Sequence, residues 1–313
     1  GSVGKVVTVA GSGYGDKEKV QIDFGQTVNI VQPLTSSDGT FSVTFTVDVQ
    51  RYGTKTITAE GVATRYRLTK TYYIIPEIIS VVPNTGTVGT GVIITCSGYG
   101  SGEQVRVDFG QTVSMVIGVA SIDGTFTTSF VVDKQGYGTT TITAQGVVSK
   151  AQAASTFYIT PKILSVVPTI GTVGTIVTVE CDGYGAGEDV SLTLGKTVDI
   201  VRVAASAGGS FTTSFTIDSQ RYGTQTLTIM GVNSKHPMES SVYIVPQVVS
   251  VLPVSGTVGT LVAVSGTGYG SDEVLRVSFG KTVTIVTCAA SNEGTWTAVF
   301  TVDTQGYANK TII

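Results

Sequence analysis

From Phe126 to Val132 the side chains alternate: Phe126, Thr128, Phe130 and Val132 fall on one side, Thr127, Ser129 and Val131 on the other. Trp296, Ala298, Phe300 and Val302 repeat the alternation against Thr297, Val299 and Thr301. A period of two turns one face to a core and the other to water, as an antiparallel strand does. In the stretch that follows Pro76, such runs fall at 77–82, 91–97, 104–109, 112–117, 125–132, 139–145 and 152–159. Gly, Pro, Asn and Asp separate them, and Asp38-Gly39 and Asp123-Gly124 predict hairpin turns. Helical spacing is absent.

The pattern repeats. Gly1, Gly86, Gly171 and Gly256 each open a Gly-x-Val-Gly segment, and Tyr14, Tyr99, Tyr184 and Tyr269 each sit in Gly-Tyr-Gly. Phe41, Phe126, Phe211 and Trp296 share a third column. Every series steps by 85 residues without insertion. About seven short strands in such a repeat predict an all-β chain of tandem immunoglobulin-like β-sandwich domains with Greek-key-like connections. The copies are expected at 1–76 (first strand missing), 77–161, 162–246 and 247–313 (last strand missing).

The run from Gly171 to Gly185, followed by Val190 to Gly195, resembles the opening of TIG/IPT-type and related prokaryotic Ig-like domains. Pro168 precedes the Gly-x-x-Gly-Thr start, and Phe24-Gly25 and Phe109-Gly110 end an early strand, as in those families. The resemblance covers all four copies, but its motifs are mostly glycines and turn residues. It implies modules used in tandem on secreted and cell-surface proteins as spacer, adhesive or fibre-forming units. The copies join without a linker: Ile74 to Pro83, Ile159 to Pro168 and Ile244 to Pro253 each carry two prolines. Proline restricts the backbone, so a stiff, nearly linear stack is expected.

Charge adds little. The net charge is -3 from 19 basic and 22 acidic residues, which offers no basic patch for nucleic acid or an anionic membrane. No apolar run approaches the ~18–20 residues of a spanning helix. Cys96 and Cys181 share a column in neighbouring copies, too far apart to pair, and Cys288 stands in another column. All three are expected as small core or half-buried residues.

Candidate chemistry is sparse. His236 is the single histidine, in an expected loop, which leaves a Ser/His/Asp or Cys/His mechanism without repeated support. The glycines of Gly11–Gly15 lie between two strands, whereas a phosphate-cradling fingerprint requires a helix to follow. Two acid series, Glu18, Glu103, Glu188 and Glu273 with Asp48, Asp133, Asp218 and Asp303, are the candidate calcium ligands. Calcium takes six to eight oxygens, and each loop offers only one or two acids. The favoured expectation for the Asp48 series is a side chain that starts the turn into the next strand. Tyr52, Tyr137, Tyr222 and Tyr307 precede a Thr-rich strand and are expected to form a tyrosine corner, in which the hydroxyl ties down that turn. Asn309 heads the one Asn-x-Thr sequon, and outward threonines offer further glycan sites.

The first copy lacks the Pro-containing strand that precedes the others, and the fourth stops before its last strand. Two expectations follow: subunits that complete one another's end sheets, or a stretch of a longer array. The functional expectation is a non-catalytic extracellular or cell-surface rod, in a filament, sheath or surface layer, self-associating through weakly charged faces. The alternative is an adhesin or carbohydrate-binding stalk. No catalytic or cofactor-binding residue is expected.

Overall fold

A computed structural model describes residues 1–313 and is all-β, with 27 strands. The chain divides into two compact units, Gly1–Ile159 and Thr160–Ile313. Each unit holds two hydrophobic cores. In the first unit one core runs from Tyr14 to Ile74 and the other from Val92 to Ile159. In the second they run from Val166 to Ile244 and from Val262 to Phe300.

The second core shows how a sandwich is built. Glu77–Val82, Gly91–Ser97 and Phe126–Val131 make a three-stranded antiparallel sheet with Gly91–Ser97 in the middle. The opposing sheet has five strands in the order Thr112–Val119, Gln104–Phe109, Gly138–Gly146, Gln152–Ile159 and Thr85–Gly86. Alternation places Val92, Ile94 and Cys96 from one sheet against Val105, Val107 and Phe109 from the other, all fully buried. Each such apolar side chain contributes about 1.5–3 kcal/mol when removed from water. Phe109 anchors the middle, its ring 5.2 Å from Phe130 and 5.9 Å from Phe157.

All seven expected runs of this copy are strands, within two residues at each end. The eighth, Thr85–Gly86, was not expected. It pairs parallel with Tyr158 and Ile159 in the opposite sheet. Pro83 explains the break: it has no N–H to continue the first ladder, so the chain leaves that sheet and joins the other. The Asp123-Gly124 turn is also not a hairpin. Phe126–Val131 pairs with Gly91–Ser97, and so the turn crosses from one sheet to the other. The turn itself is tight, with the Ser121 N–H donating to Thr125 O at 2.7 Å and Gly124 at a φ of 79°.

The third copy repeats this architecture, including the parallel Ile170–Gly171 strand. In the first, Val6–Gly11 pairs with Phe41–Thr46 over a sheet of Thr27–Val31, Val20–Phe24, Gly53–Gly61 and Arg67–Ile74. In the fourth, Gln247–Leu252, Leu261–Thr267 and Trp296–Thr301 face the pair Val274–Phe279 and Thr282–Ala289, and Phe279 bridges Ile312.

Candidate functional site

The recurring acids are engaged in internal hydrogen bonds. Glu103 precedes Gln104–Phe109 and is 7% exposed. One of its oxygens accepts the Gly100 N–H at 2.8 Å, and the other accepts the N–H groups of Val148 at 3.2 Å and Ser149 at 2.7 Å. It thereby fastens the Gly-Tyr-Gly turn to the turn between Gly138–Gly146 and Gln152–Ile159. Glu18 does the same with Gly15, Ala63 and Thr64, and Glu188 with Gly185, Asn233 and Ser234. Glu273 accepts the Gly270 N–H at 2.7 Å. The Thr64 N–H leads the causes that hold the Glu18 carboxyl below the usual range. For Glu103 and Glu188 burial pushes upward, and the bonds led by Ser149 and Ser234 outweigh it, so both carboxyls also sit low.

The Asp48 series forms a second network. One oxygen of Asp48, Asp133, Asp218 and Asp303 accepts the hydroxyl of Thr27, Thr112, Thr197 and Thr282. The other accepts the side-chain N–H of Gln50 at 2.9 Å, Gln135 at 3.1 Å, Gln220 at 2.7 Å and Gln305 at 2.9 Å. Each glutamine also reaches the carbonyl that ends the facing strand, as Gln50 does to Phe24 O at 3.3 Å. Each aspartate thus joins a glutamine two residues on to the threonine that opens a neighbouring strand, where turn-starting bonds to the following backbone were expected. Neither acid series gathers ligands for calcium: both present carboxylates to N–H and O–H donors, and no three His, Cys, Asp or Glu side chains converge.

The tyrosines exchange roles relative to expectation. In the Tyr52 series the hydroxyl meets a second tyrosine: Tyr73 donates to Tyr52 at 2.7 Å, Tyr158 to Tyr137 at 2.7 Å and Tyr243 to Tyr222 at 2.6 Å. Each pair of rings stands edge-to-face, 5.5–5.6 Å apart. Tyr307 is fully exposed. The phenol that ties down backbone is the one in Gly-Tyr-Gly. Tyr14 donates to Ala59 O at 3.1 Å and Tyr99 to Ala144 O at 2.8 Å, while Tyr184 reaches Ile229 O at 3.5 Å. Tyr73, Tyr158 and Tyr243 step by 85 as well, a signal present in the sequence that no motif had singled out.

Tyr99 is fully buried, so Tyr99→Phe removes a buried hydrogen bond to Ala144 O and should cost about 1 kcal/mol. Tyr52→Phe, on the half-exposed pair, should change stability by less than about 0.5 kcal/mol. Urea denaturation of the two variants checks the contrast.

The joints inside each unit share one design. The Tyr52 N–H donates to Tyr99 O at 3.0 Å, and the Tyr222 N–H to Tyr269 O at 3.0 Å. A Cβ on Gly98 would stand 2.7 Å from Ile75 O, and one on Gly268 would stand 2.7 Å from Val245 O. The loop that enters Gly53–Gly61 and the segment that leaves the sandwich at Ile75 therefore both seat on the Gly-Tyr-Gly turn of the next, as their equivalents do in the second unit. Lys5 and Glu77 add an ion pair at 3.4 Å in the first unit.

What the copies do not share lies chiefly in the fourth. A groove of about 430 Å³ is lined there by Trp296, Gly266, Thr267, Ser291 and Thr295, with no charged side chain. Gly266 occupies the column of Cys96 and Cys181, and a Cβ there would stand 2.4 Å from the Trp296 indole nitrogen. The larger ring and the missing side chain belong together. The Trp296 ring meets Tyr269 edge-on at 5.7 Å.

Elsewhere the structure offers little chemistry. Gly11–Gly15 runs from the end of one strand into the turn before Val20–Phe24, and His236 is half-buried in the turn before Pro237–Ile244. Asn309 is exposed. The three cysteines are free thiols. Burial pushes the Cys96 and Cys181 thiols up to about 12, and also raises that of the half-buried Cys288. Thiolates are the reactive species, so iodoacetamide at pH 8 should label Cys288 first, which peptide mass spectrometry will show. Labelling of Cys96 or Cys181 at an equal rate would mean that their cores open.

No family model matches the sequence, and no curated protein matches it. Among solved structures, the chain is similar to the alpha-2-macroglobulin of E. coli at 8% identity and a TM-score of 0.24, over 98% of this chain and 28% of that one. It is similar to invasin, a bacterial integrin-binding protein, at 13% identity and a TM-score of 0.21, over 98% and 75% of the two chains. It is also similar to the Yersinia pseudotuberculosis adhesin InvE, at 12% identity and a TM-score of 0.26, over 69% and 72%. The chain spans about a quarter of the length of the alpha-2-macroglobulins it matches. At these scores the comparisons assign no function, and the chain stands as a tandem array of immunoglobulin-like β-sandwiches.

Proposed function

We propose that this chain is a non-catalytic structural segment, a stiff rod of TIG/IPT-like domains at 1–76, 77–161, 162–246 and 247–313, serving an extracellular filament, sheath or surface layer. One observation carries the reading. The polar residues that recur every 85 positions hold turns to strands, and the same backbone joint recurs in both units. A chain selected for chemistry would keep polar groups free for a ligand.

Lateral self-association is supported by the outer face of the three-stranded sheets. Ile79, Val82, Ile93 and Val131 are exposed there in the second copy, and Val249, Leu252, Leu261 and Val299 in the fourth. Contact between such faces desolvates little charge. Sedimentation velocity over rising concentration should show assembly that the double variant Ile93→Lys, Leu252→Lys abolishes. Concentration-independent monomers in both proteins would count against it.

The groove at Trp296 favours a second reading, a carbohydrate-binding stalk, because its uncharged, hydroxyl-bearing lining suits a neutral saccharide. Trp296 is the sole tryptophan, so its fluorescence reports on this groove alone. A saturable change on saccharide titration would support this reading, and a flat response across neutral saccharides would remove it.

A further inference from the structure

The joint of the first unit contains a small cleft. It has a volume of about 90 Å³ and is lined by Gln26, Val49, Gln50, Arg51, Lys55 and Asp123. Five of these belong to the first copy. Asp123 comes from the second, across the Tyr52-to-Tyr99 backbone bond. Two cations therefore share the space with a single carboxylate. None of the ion pairs in the structure includes Arg51, Lys55 or Asp123.

Strand geometry places Lys55 there. Along Gly53–Gly61 the side chains of Thr54 and Thr56 face outward, and Ile57 and Ala59 face the core. Lys55 occupies the inward column at the strand's end, where it is half-buried above the next sandwich. Burial, and then the nearby Arg51 guanidinium, hold its ammonium below the usual lysine range. An arrangement that keeps two positive groups together at that cost is poised for an anion.

The second unit carries the same number of charges in the equivalent columns, two positive and one negative. Arg221 stands in the column of Arg51 and Glu293 in that of Asp123. The second cation has changed position: Gln225 replaces Lys55, while Lys196 replaces Gln26. What recurs is two positive charges and one negative, supplied by different residues.

We propose that the cleft of the first unit binds a sulfate or carboxylate group, held by the Arg51 guanidinium and the Lys55 ammonium, with Gln26 completing the rim. The planar guanidinium fork matches two oxygens of an oxyanion, and lysine adds a point charge. A cleft this small takes one such group, either as a free ion or as a substituent on an acidic glycan.

The chain supplies its own control residues. Gly136 and Thr140 stand in the columns of Arg51 and Lys55, and Gly208 in that of Asp123, so each substitution below is one the repeat already contains. The full chain and the double variant Arg51→Gly, Lys55→Thr are titrated by isothermal calorimetry at constant ionic strength, first with sodium sulfate and then with a sulfated oligosaccharide. Sulfate also stabilises proteins by exclusion from their surface, so direct heat of binding is measured in preference to a melting shift. The expected result is saturable binding to the full chain that is at least tenfold weaker in the double variant. Response to both probes identifies a site for the group itself, and response to the oligosaccharide alone a site for the group on a glycan. Asp123→Gly, which removes the competing carboxylate, should tighten binding several-fold. Equal binding by the full chain and the double variant, absence of binding to both probes, or loss of binding in Asp123→Gly would overturn the proposal. Fibre or layer formation is not among these outcomes, so the site stands or falls apart from the structural reading.

Discussion

Gly124→Ala is expected to lower the stability of the first unit by about 3 kcal/mol, through left-handed strain of about 1–2 kcal/mol together with overpacking at the joint. Gly124 has a φ of 79°, which L side chains rarely adopt. A Cβ there would stand 2.3 Å from Tyr99 O and 3.1 Å from the Arg51 Cα of the neighbouring copy. Backbone on both sides of the joint must then shift, and Tyr99 O is the acceptor of the Tyr52 N–H. Gly102→Ala is the matched control. Its φ is 67°, and nothing lies within 4 Å of the added methyl, so it should cost only the left-handed strain of about 1–2 kcal/mol. Amide exchange at Tyr52 should accelerate in Gly124→Ala and remain unchanged in Gly102→Ala. Equal exchange in both variants would mean that the joint contributes nothing to holding the copies together.

Glu103→Ala should be the next largest, at about 2 kcal/mol, because three part-buried N–H groups lose a charged acceptor at once. Glu103→Gln should recover part of the loss. Its carbonyl still serves Val148 and Ser149, while its amide sets a donor against the Gly100 N–H. The same carboxylates give a pH dependence. Glu18, Glu103 and Glu188 are all held low in the folded chain. Their contribution is therefore complete above the ordinary glutamate pKa of about 4.3 and is lost as pH falls through the lower folded values. Denaturation midpoints should hold steady above about pH 5 and decline below it, and Glu103→Gln should flatten that decline in the first unit.

How far the sequence anticipated this structure depends on which force decides each feature. The alternation at Phe126–Val132 and the 85-residue columns reflect burial, which acts on every copy alike, and the strands appeared where the pattern placed them. The split first strand is not legible in the pattern because apolar residues continue from Ile78 up to Pro83, and a missing N–H is a backbone property that apolarity does not record. Tyr52 looked like a corner residue because it precedes a strand. Which phenol finds a carbonyl depends on depth, and only Tyr99 lies beneath Ala144. The Asp48 series was expected to bond the backbone of its own turn, and it instead joins one local side chain, Gln50 two residues on, to one 21 residues away, Thr27. The groove at Trp296 was foreshadowed only as a departure from the shared columns, since neither Gly266 nor Trp296 signals a cavity by itself.

Negative-stain microscopy of the native material tests the structural reading most directly. Ordered fibres or layers are the predicted result. Dispersed single chains that bind a glycan array would contradict it and would place the chemistry at Trp296 instead of in the faces the copies share.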